Sequence, residues 1–407
     1  MVSFPMNAEI RFYNYLEKHA LILGAVVIAI LGIGLHISGW YLKSRDYIIF
    51  LDGWYNQIAA GGGLFCLSNQ VGNYNIPYQV VIAIMTYLPI SARSAYKLVS
   101  CLFDVVLAVA AGTLVWLVRG RRDRNLAAFM GAVVFSLPTV AMNSGWWAQC
   151  DSIWTSFCLL SLVAFIDRRN TPCFLLYGCA LAFKLQAIFL LPFYIFALVR
   201  TKRFSVSHFL LIPVSMVVLS LPGLLFGRNI VDIVTIYMEQ ASGKAAMYLN
   251  YPSFWAMFVG ADAGYSDYLK TFAILLTVVA LVVEAIWLIV CRVDLEAPSN
   301  VVVVAALFVF TAVFFLPAMH ERYAYLVEIL LIVTVFVDRR FLLPAALAQI
   351  VTIRTYISYL LQEMITGLDP SIGVMWPLSV VNAIAFTSVA FLVFTRVTGF
   401  GTKTHFD

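Results

Sequence analysis

Long apolar stretches alternate with short basic ones along almost the whole chain. The first runs from about Ala20 to Trp40 and gives way to the polar, aromatic segment Tyr41 to Tyr55. Roughly 20 apolar residues are enough for an α-helix to cross the hydrocarbon of a bilayer. The pattern predicts spans over 20–41, 92–118, 125–142, 150–166, 172–184, 186–199, 206–226, 268–291, 301–317, 322–337, 341–361 and 374–396, twelve in all. The pair 172–184 and 186–199 is short for full crossings and reads equally as a re-entrant hairpin. Continuous apolar runs, without strand-like alternation, exclude a β-barrel. Two long segments interrupt the pattern, 42–91 and 227–267. The first holds an amphipathic stretch from Asp46 to Ala60, a Gly61-Gly62-Gly63 break, and the apolar run 77–89. That run, and the stretch from Ile230 to Met247, are expected to lie in the membrane interface.

Composition agrees. The chain has 407 residues, 62% of them hydrophobic and only 12% charged, with mean hydropathy +0.92; soluble domains carry roughly 25% charged residues. The expected fold is therefore an all-α polytopic membrane protein forming one domain, without a soluble module. The first apolar run lacks a convincing cleavage site and reads as a retained anchor. Net charge is +5, gathered in Arg119–Arg124, Asp167-Arg168-Arg169, Arg200–Arg203, Arg292, Asp338-Arg339-Arg340, Arg396 and Lys403. Placing these clusters on the cytoplasmic side orients every span consistently. No basic helix face or Gly-rich phosphate loop points to nucleic acid. Seven cysteines lie mostly inside apolar runs; Cys66 and Cys150 share a side, but spacing does not establish a bridge. Lys97 and Asp104 lie on one face of a predicted helix and are expected to make an internal polar contact. Trp146, Trp147, Tyr87 and Trp376 read as interface-belt aromatics, although such rings also stack on sugars.

Charges this close to hydrocarbon are costly and mark function more often than chance would. The candidates fall at the outer ends of spans: Asp46 and Asp52 in the first loop, Gln149 and Asp151 opening the fourth span, and Lys184 and Gln186 at the bend of the short pair. His320, Glu321 and Arg322 lie at a late turn, and Arg354 in the outer half of the eleventh span. Carboxylates and cations from separated segments thus converge on one face. A carboxylate can take the proton of an attacking hydroxyl, and fixed cations can bind a phosphate and stabilise it as it leaves. Glu284 and Glu328, mid-span, are read as structural.

Four segments together resemble the integral-membrane glycosyltransferases of the GT-C superfamily, along most of the chain. Arg45-Asp46-Tyr47-Ile48-Ile49-Phe50-Leu51-Asp52 is similar to the first-loop (G/I)-D-(Y/F)…F-x-D segment of its mannosyl- and glucosyltransferases. Trp147 to Phe157 is similar to the G-Q-x-D-(S/A)-(I/L)-x-x-x-F element, and Ala182-Phe183-Lys184-Leu185-Gln186 to A-x-x-x-K-x-Q. Met319-His320-Glu321-Arg322-Tyr323 resembles the H-E-(R/K) turn of the mannosyltransferase that builds the glycosylphosphatidylinositol anchor and of dolichol-pathway glucosyltransferases.

The resemblance implies a GT-C fold, with Asp46 as catalytic base and His320, Arg322 and Lys184 at the phosphate of a polyprenyl-phosphate sugar. Asp52, Asp151, Gln149, Gln186, Glu321 and Arg354 would support them or the acceptor. It also implies inversion at the anomeric carbon and, commonly, no metal. Some relatives carry D-x-D in the first loop; Ser44 stands two residues before Asp46 here, so a divalent metal is not expected. The expected activity moves mannose or glucose to a hydroxyl of a lipid-linked glycan, glycolipid or surface polysaccharide outside a bacterial plasma membrane. The alternatives are a lipid or glycolipid transporter, and a glycan polymerase using a lipid-diphosphate donor.

Overall fold

The computed structural model describes residues 6–242, 246–259, 267–361 and 375–398; Lys403 and parts of the second long loop lie outside them. Sixteen helices are described, beginning with α1 (Met6–Ser38), α2 (Asp52–Ala60), α3 (Ile76–Met85), α4 (Ala92–Val118), α5 (Arg124–Phe135) and α6 (Pro138–Ala141). Next come α7 (Asp151–Ile166), α8 (Asn170–Phe183), α9 (Leu191–Thr201), α10 (Leu211–Leu225) and α11 (Asp232–Ser242). The last five are α12 (Asp267–Val290), α13 (Pro298–Phe315), α14 (Tyr325–Val337), α15 (Leu342–Leu361) and α16 (Met375–Thr398). Two short strands, β1 (Tyr248–Leu249) and β2 (Met319–His320), pair in parallel.

Seven helical stretches among the described residues are long and apolar enough to cross a membrane, or eight if α5 and its bent continuation Pro138–Trp146 count as one. The chain is thus an integral membrane protein of α-helices. The region read as one span over 125–142 bends by 50°, where Pro138 follows Leu137 at extended ψ. α7, α8, α14 and the Leu185–Thr201 stretch are apolar but shorter. α8 and the 3-10 turn before α9 meet at Lys184, whose backbone is extended.

α13 is the core: each residue from Val301 to Phe314 is buried. An all-round apolar helix suits that position, with protein on every side. α12, equally apolar, buries only Ala273, Thr277 and Leu288, so its surface is suited to lipid. The run 77–89, expected in the membrane interface, is largely covered by protein. It forms α3, whose Ile76, Tyr78, Gln79, Ile82 and Met85 are buried, because the helix is wedged among α2, α8 and α10. α11 covers the middle of the second stretch expected at the interface.

Ends are fixed by local chemistry. Ser91 and Asp123 cap α4 and α5 by accepting from the backbone N–H groups of Ser94 (3.3 Å) and Leu126 (2.8 Å). Lys97 closes the C-terminal end of α1: its ammonium donates to the carbonyls of Gly39, Trp40 and Leu42 at 2.8, 3.0 and 2.8 Å. Lys97 therefore does not pair with Asp104; Asp104 meets His36 instead, at 3.1 Å. At the end away from Asp46 the basic segments are tied together, Arg121 to Asp167 at 2.6 Å and Arg203 to Glu296 at 3.5 Å. All seven cysteines are free thiols.

Candidate functional site

The segment after α1 turns at Ser44, whose hydroxyl donates to the Trp147 carbonyl and accepts from the Tyr47 N–H, both at 3.1 Å. That pair of hydrogen bonds fixes Asp46 against the turn that follows a π-helical stretch, Met142–Trp146. There Ala148 adopts φ of 66°, a left-handed conformation unfavourable for a residue with a Cβ. The twist lets Trp147 and Gln149, on either side of it, both reach one carboxylate. Asp46 Oδ2 accepts from Trp147 Nε1 at 3.0 Å, Gln149 Nε2 at 2.8 Å and Arg322 Nη1 at 3.3 Å. Its Oδ1 accepts from the Tyr359 hydroxyl at 2.5 Å.

A second buried carboxylate lies behind it. Asp151 opens α7 with no exposed surface. Its Oδ1 accepts from Lys184 Nζ at 2.5 Å and Trp154 Nε1 at 2.9 Å, and its Oδ2 from Asn143 Nδ2 at 3.0 Å. Arg322 bridges the two centres: its Nε is 3.9 Å from Asp151, while its Nη1 also donates to Glu321 at 3.1 Å. The guanidinium lies over the Trp147 ring, 5.3 Å from its centroid, and Lys184 lies over Tyr74 at 5.7 Å.

Burial pushes the Glu321 carboxyl up, and its neighbours His320 and Arg322 more than reverse that, leaving it below its ordinary value.

His320 lies in β2, held in register with Leu249. Its Nδ1 is 3.8 Å from Glu321 and its ring meets Tyr323 edge-on at 5.1 Å. His320, Lys184, Gln186, Tyr74 and Arg322 are among the residues lining a cavity of about 880 Å3. The rest of its wall is mainly apolar, including Ile188, Met216, Ile236, Ile274 and Leu316. Gln186 is buried, and its Oε1 has no hydrogen-bond partner among the described residues. Arg322 belongs both to this cavity wall and to the Asp46 cluster; Asp46 itself is not part of the wall.

Six of the ten residues singled out in the sequence meet in one bonded cluster: Asp46, Gln149, Asp151, Lys184, Glu321 and Arg322. His320 and Gln186 join it across the cavity wall. Asp52 and Arg354 do not. Asp52 accepts from the Tyr47 hydroxyl at 2.6 Å and from Asn56 at 3.5 Å, and the Arg354 guanidinium donates to Ser358 of its own helix. Trp147 is fully buried, stacked on Tyr359 at 4.6 Å, so it is part of the site and not of an interface belt. Tyr359, Asn143 and Tyr74 escaped the sequence reading; Tyr359 lies 313 residues from its partner Asp46. Asp46, Asp151 and Glu321 are all engaged by protein cations, and no group with metal-ligand spacing surrounds Asp46 among the described residues. Compared with known proteins, the chain matches no family model and no curated protein.

Proposed function

We propose that the protein is an inverting glycosyltransferase of GT-C type that moves a hexose from a polyprenyl-phosphate donor to an acceptor hydroxyl. The observation that carries this reading is Arg322, shared between the cavity and the Asp46 carboxylate. The donor phosphate would sit among the cavity's Arg322, Lys184 and His320 as cations, and the apolar walls would take the start of the lipid tail. Arg suits a phosphate because its planar fork matches two oxygens at once. Asp46 would accept the hydroxyl proton as the acceptor oxygen bonds the anomeric carbon. The carbon–phosphate-oxygen bond breaks in the same step, and the phosphate leaves with the electron pair. A donor phosphate that draws Arg322 toward the cavity would uncover Asp46 as a base only once the donor is present.

On this reading the shorter helices α7, α8, α14 and Leu185–Thr201 also cross, making twelve spans with the eight others. The Asp46 end then faces outside and the basic end the cytoplasm, as in a bacterial plasma membrane. The acceptor would be a lipid-linked glycan, glycolipid or surface polysaccharide.

The test uses proteoliposomes given radiolabelled polyprenyl-phosphate-mannose or polyprenyl-phosphate-glucose and a crude lipid extract. Sugar moving to a new product with the wild type and not with Asp46→Asn is the expected result. Label moving between leaflets without a product would favour a lipid transporter. Transfer only from a lipid-diphosphate glycan would favour a polymerase.

A further inference from the structure

We infer that His36, Cys101 and Asp104 form a site for one divalent metal ion of the zinc class, tying α1 to α4 behind the Asp46 cluster. The His36 Nδ1 atom is 2.7 Å from the carbonyl oxygen of Gly32. A carbonyl only accepts, so Nδ1 carries the hydrogen and Nε2 has its lone pair free in the neutral ring. Yet Nε2 faces another acceptor, Asp104 Oδ2, at 3.1 Å. Two acceptors at that distance need a proton shared between them or a metal ion.

Three features favour the ion. A carbonyl fixing the far nitrogen of the ring is the usual support of a metal-bound histidine. Cys101, one turn before Asp104 on α4, brings a thiol to the same place: the ligand atoms of all three residues lie within 4.8 Å of one another. And Asp104, wholly buried, keeps Oδ1 without a hydrogen-bond partner, although Oδ2 already serves both His36 and the Ser144 hydroxyl. A bridging proton would leave that oxygen without a partner.

Mixed nitrogen, sulfur and oxygen ligands suit zinc-class ions. Charge also balances. Before binding, imidazolium and carboxylate cancel; afterwards a dication is cancelled by thiolate and carboxylate. Two protons leave, one from Cys101 and one from the His36–Asp104 pair, so the site stays neutral within hydrocarbon. Three protein ligands leave a fourth position for a water that Ser144 can orient.

The position gives the ion a consequence. A side chain at Gly145 would stand 2.6 Å from the His36 carbonyl oxygen, so the π turn sits directly on the end of α1. Two residues further, Trp147 reaches Asp46.

The test is metal content of the full-length protein, purified without chelators, equilibrated with zinc and desalted. We expect about one ion per chain in the wild type and in Cys66→Ser, and a loss of at least about tenfold in His36→Ala and Cys101→Ser. Replacing zinc by cobalt should give a thiolate-to-cobalt absorption band that Cys101→Ser abolishes, a readout available even if His36→Ala fails to fold. A wild type without stoichiometric metal, or metal retained equally in Cys101→Ser with no change in the cobalt spectrum, would overturn the site. Neither readout depends on glycosyl transfer.

Discussion

The Arg322 guanidinium rests 3.3 Å from the Asp46 carboxylate while its other side faces the cavity. The group that would hold a donor phosphate therefore neutralises the group that would act as base. On the proposed reaction, each is available to substrate only when substrate separates them.

Asp46→Asn should leave the fold standing, because the amide oxygen can still accept from Trp147 and Gln149 while its NH2 donates to the Tyr359 hydroxyl. Removing a general base costs roughly 10²–10⁴-fold in rate. Single-turnover transfer in proteoliposomes should fall by about that factor with donor affinity little changed. Near-normal transfer would remove Asp46 as the base.

Arg322→Ala should weaken donor binding, and Arg322→Lys should restore only part of it, since an ammonium lacks the fork. Equilibrium binding of labelled polyprenyl-phosphate sugar measures this. Unchanged affinity in the alanine variant would place the phosphate elsewhere.

Lys184 and Asp151, at 2.5 Å and both buried, should behave as a coupled pair. Losing one partner of a buried ion pair costs about 3–5 kcal/mol, because the other charge is stranded. Lys184→Met and Asp151→Leu should each lower the thermal midpoint strongly, and the double variant by clearly less than the sum. Additive losses would mean that the two charges are not paired.

Trp147→Phe keeps a ring under Arg322 and removes the N–H that Asp46 accepts. A hydrogen bond to a charged group contributes about 1.5–3 kcal/mol. We expect a lower kcat, because the carboxylate loses one of the donors that hold it in place. An unchanged kcat would make the indole a packing group alone.

Stability should fall in acid through Glu321. Its folded pKa lies below its ordinary value of 4.5, so its contribution is complete above that value and is lost as pH drops through the folded pKa. The thermal midpoint of the wild type should decline below pH 4.5, and that of Glu321→Gln should decline less over the same window. Equal slopes would refute a stabilising role for that carboxylate.

Much of this arrangement could be read before any coordinates. Lys184 and Asp151 stood out because an isolated charge in an apolar run must find a partner, and each found the other. Tyr359 could not be found, since a tyrosine near the end of an apolar helix has no local signature and only the distant packing of α15 brings it to Asp46. Trp146 and Trp147 are chemically identical neighbours; only the π-helical stretch decides that one lies partly exposed and the other fully buried. Arg354 carried the right chemistry, but its helix points Tyr359 into the cluster instead. The protein cover of α3 could not be read either, because apolar content predicts removal from water without saying whether lipid or protein provides the cover.

The pairing of β1 with β2 makes two distant parts of the chain one mechanical unit. Tyr248 and Leu249 run beside Met319 and His320, and the Ala318 N–H donates to the Met247 carbonyl at 2.8 Å. Residues 247–249, between α11 and α12, thus grip the backbone of the turn that carries His320 and Arg322. Whatever shifts Tyr248 and Leu249 therefore acts on the cationic turn through main-chain bonds, which a substitution can break only by removing an N–H, as proline does.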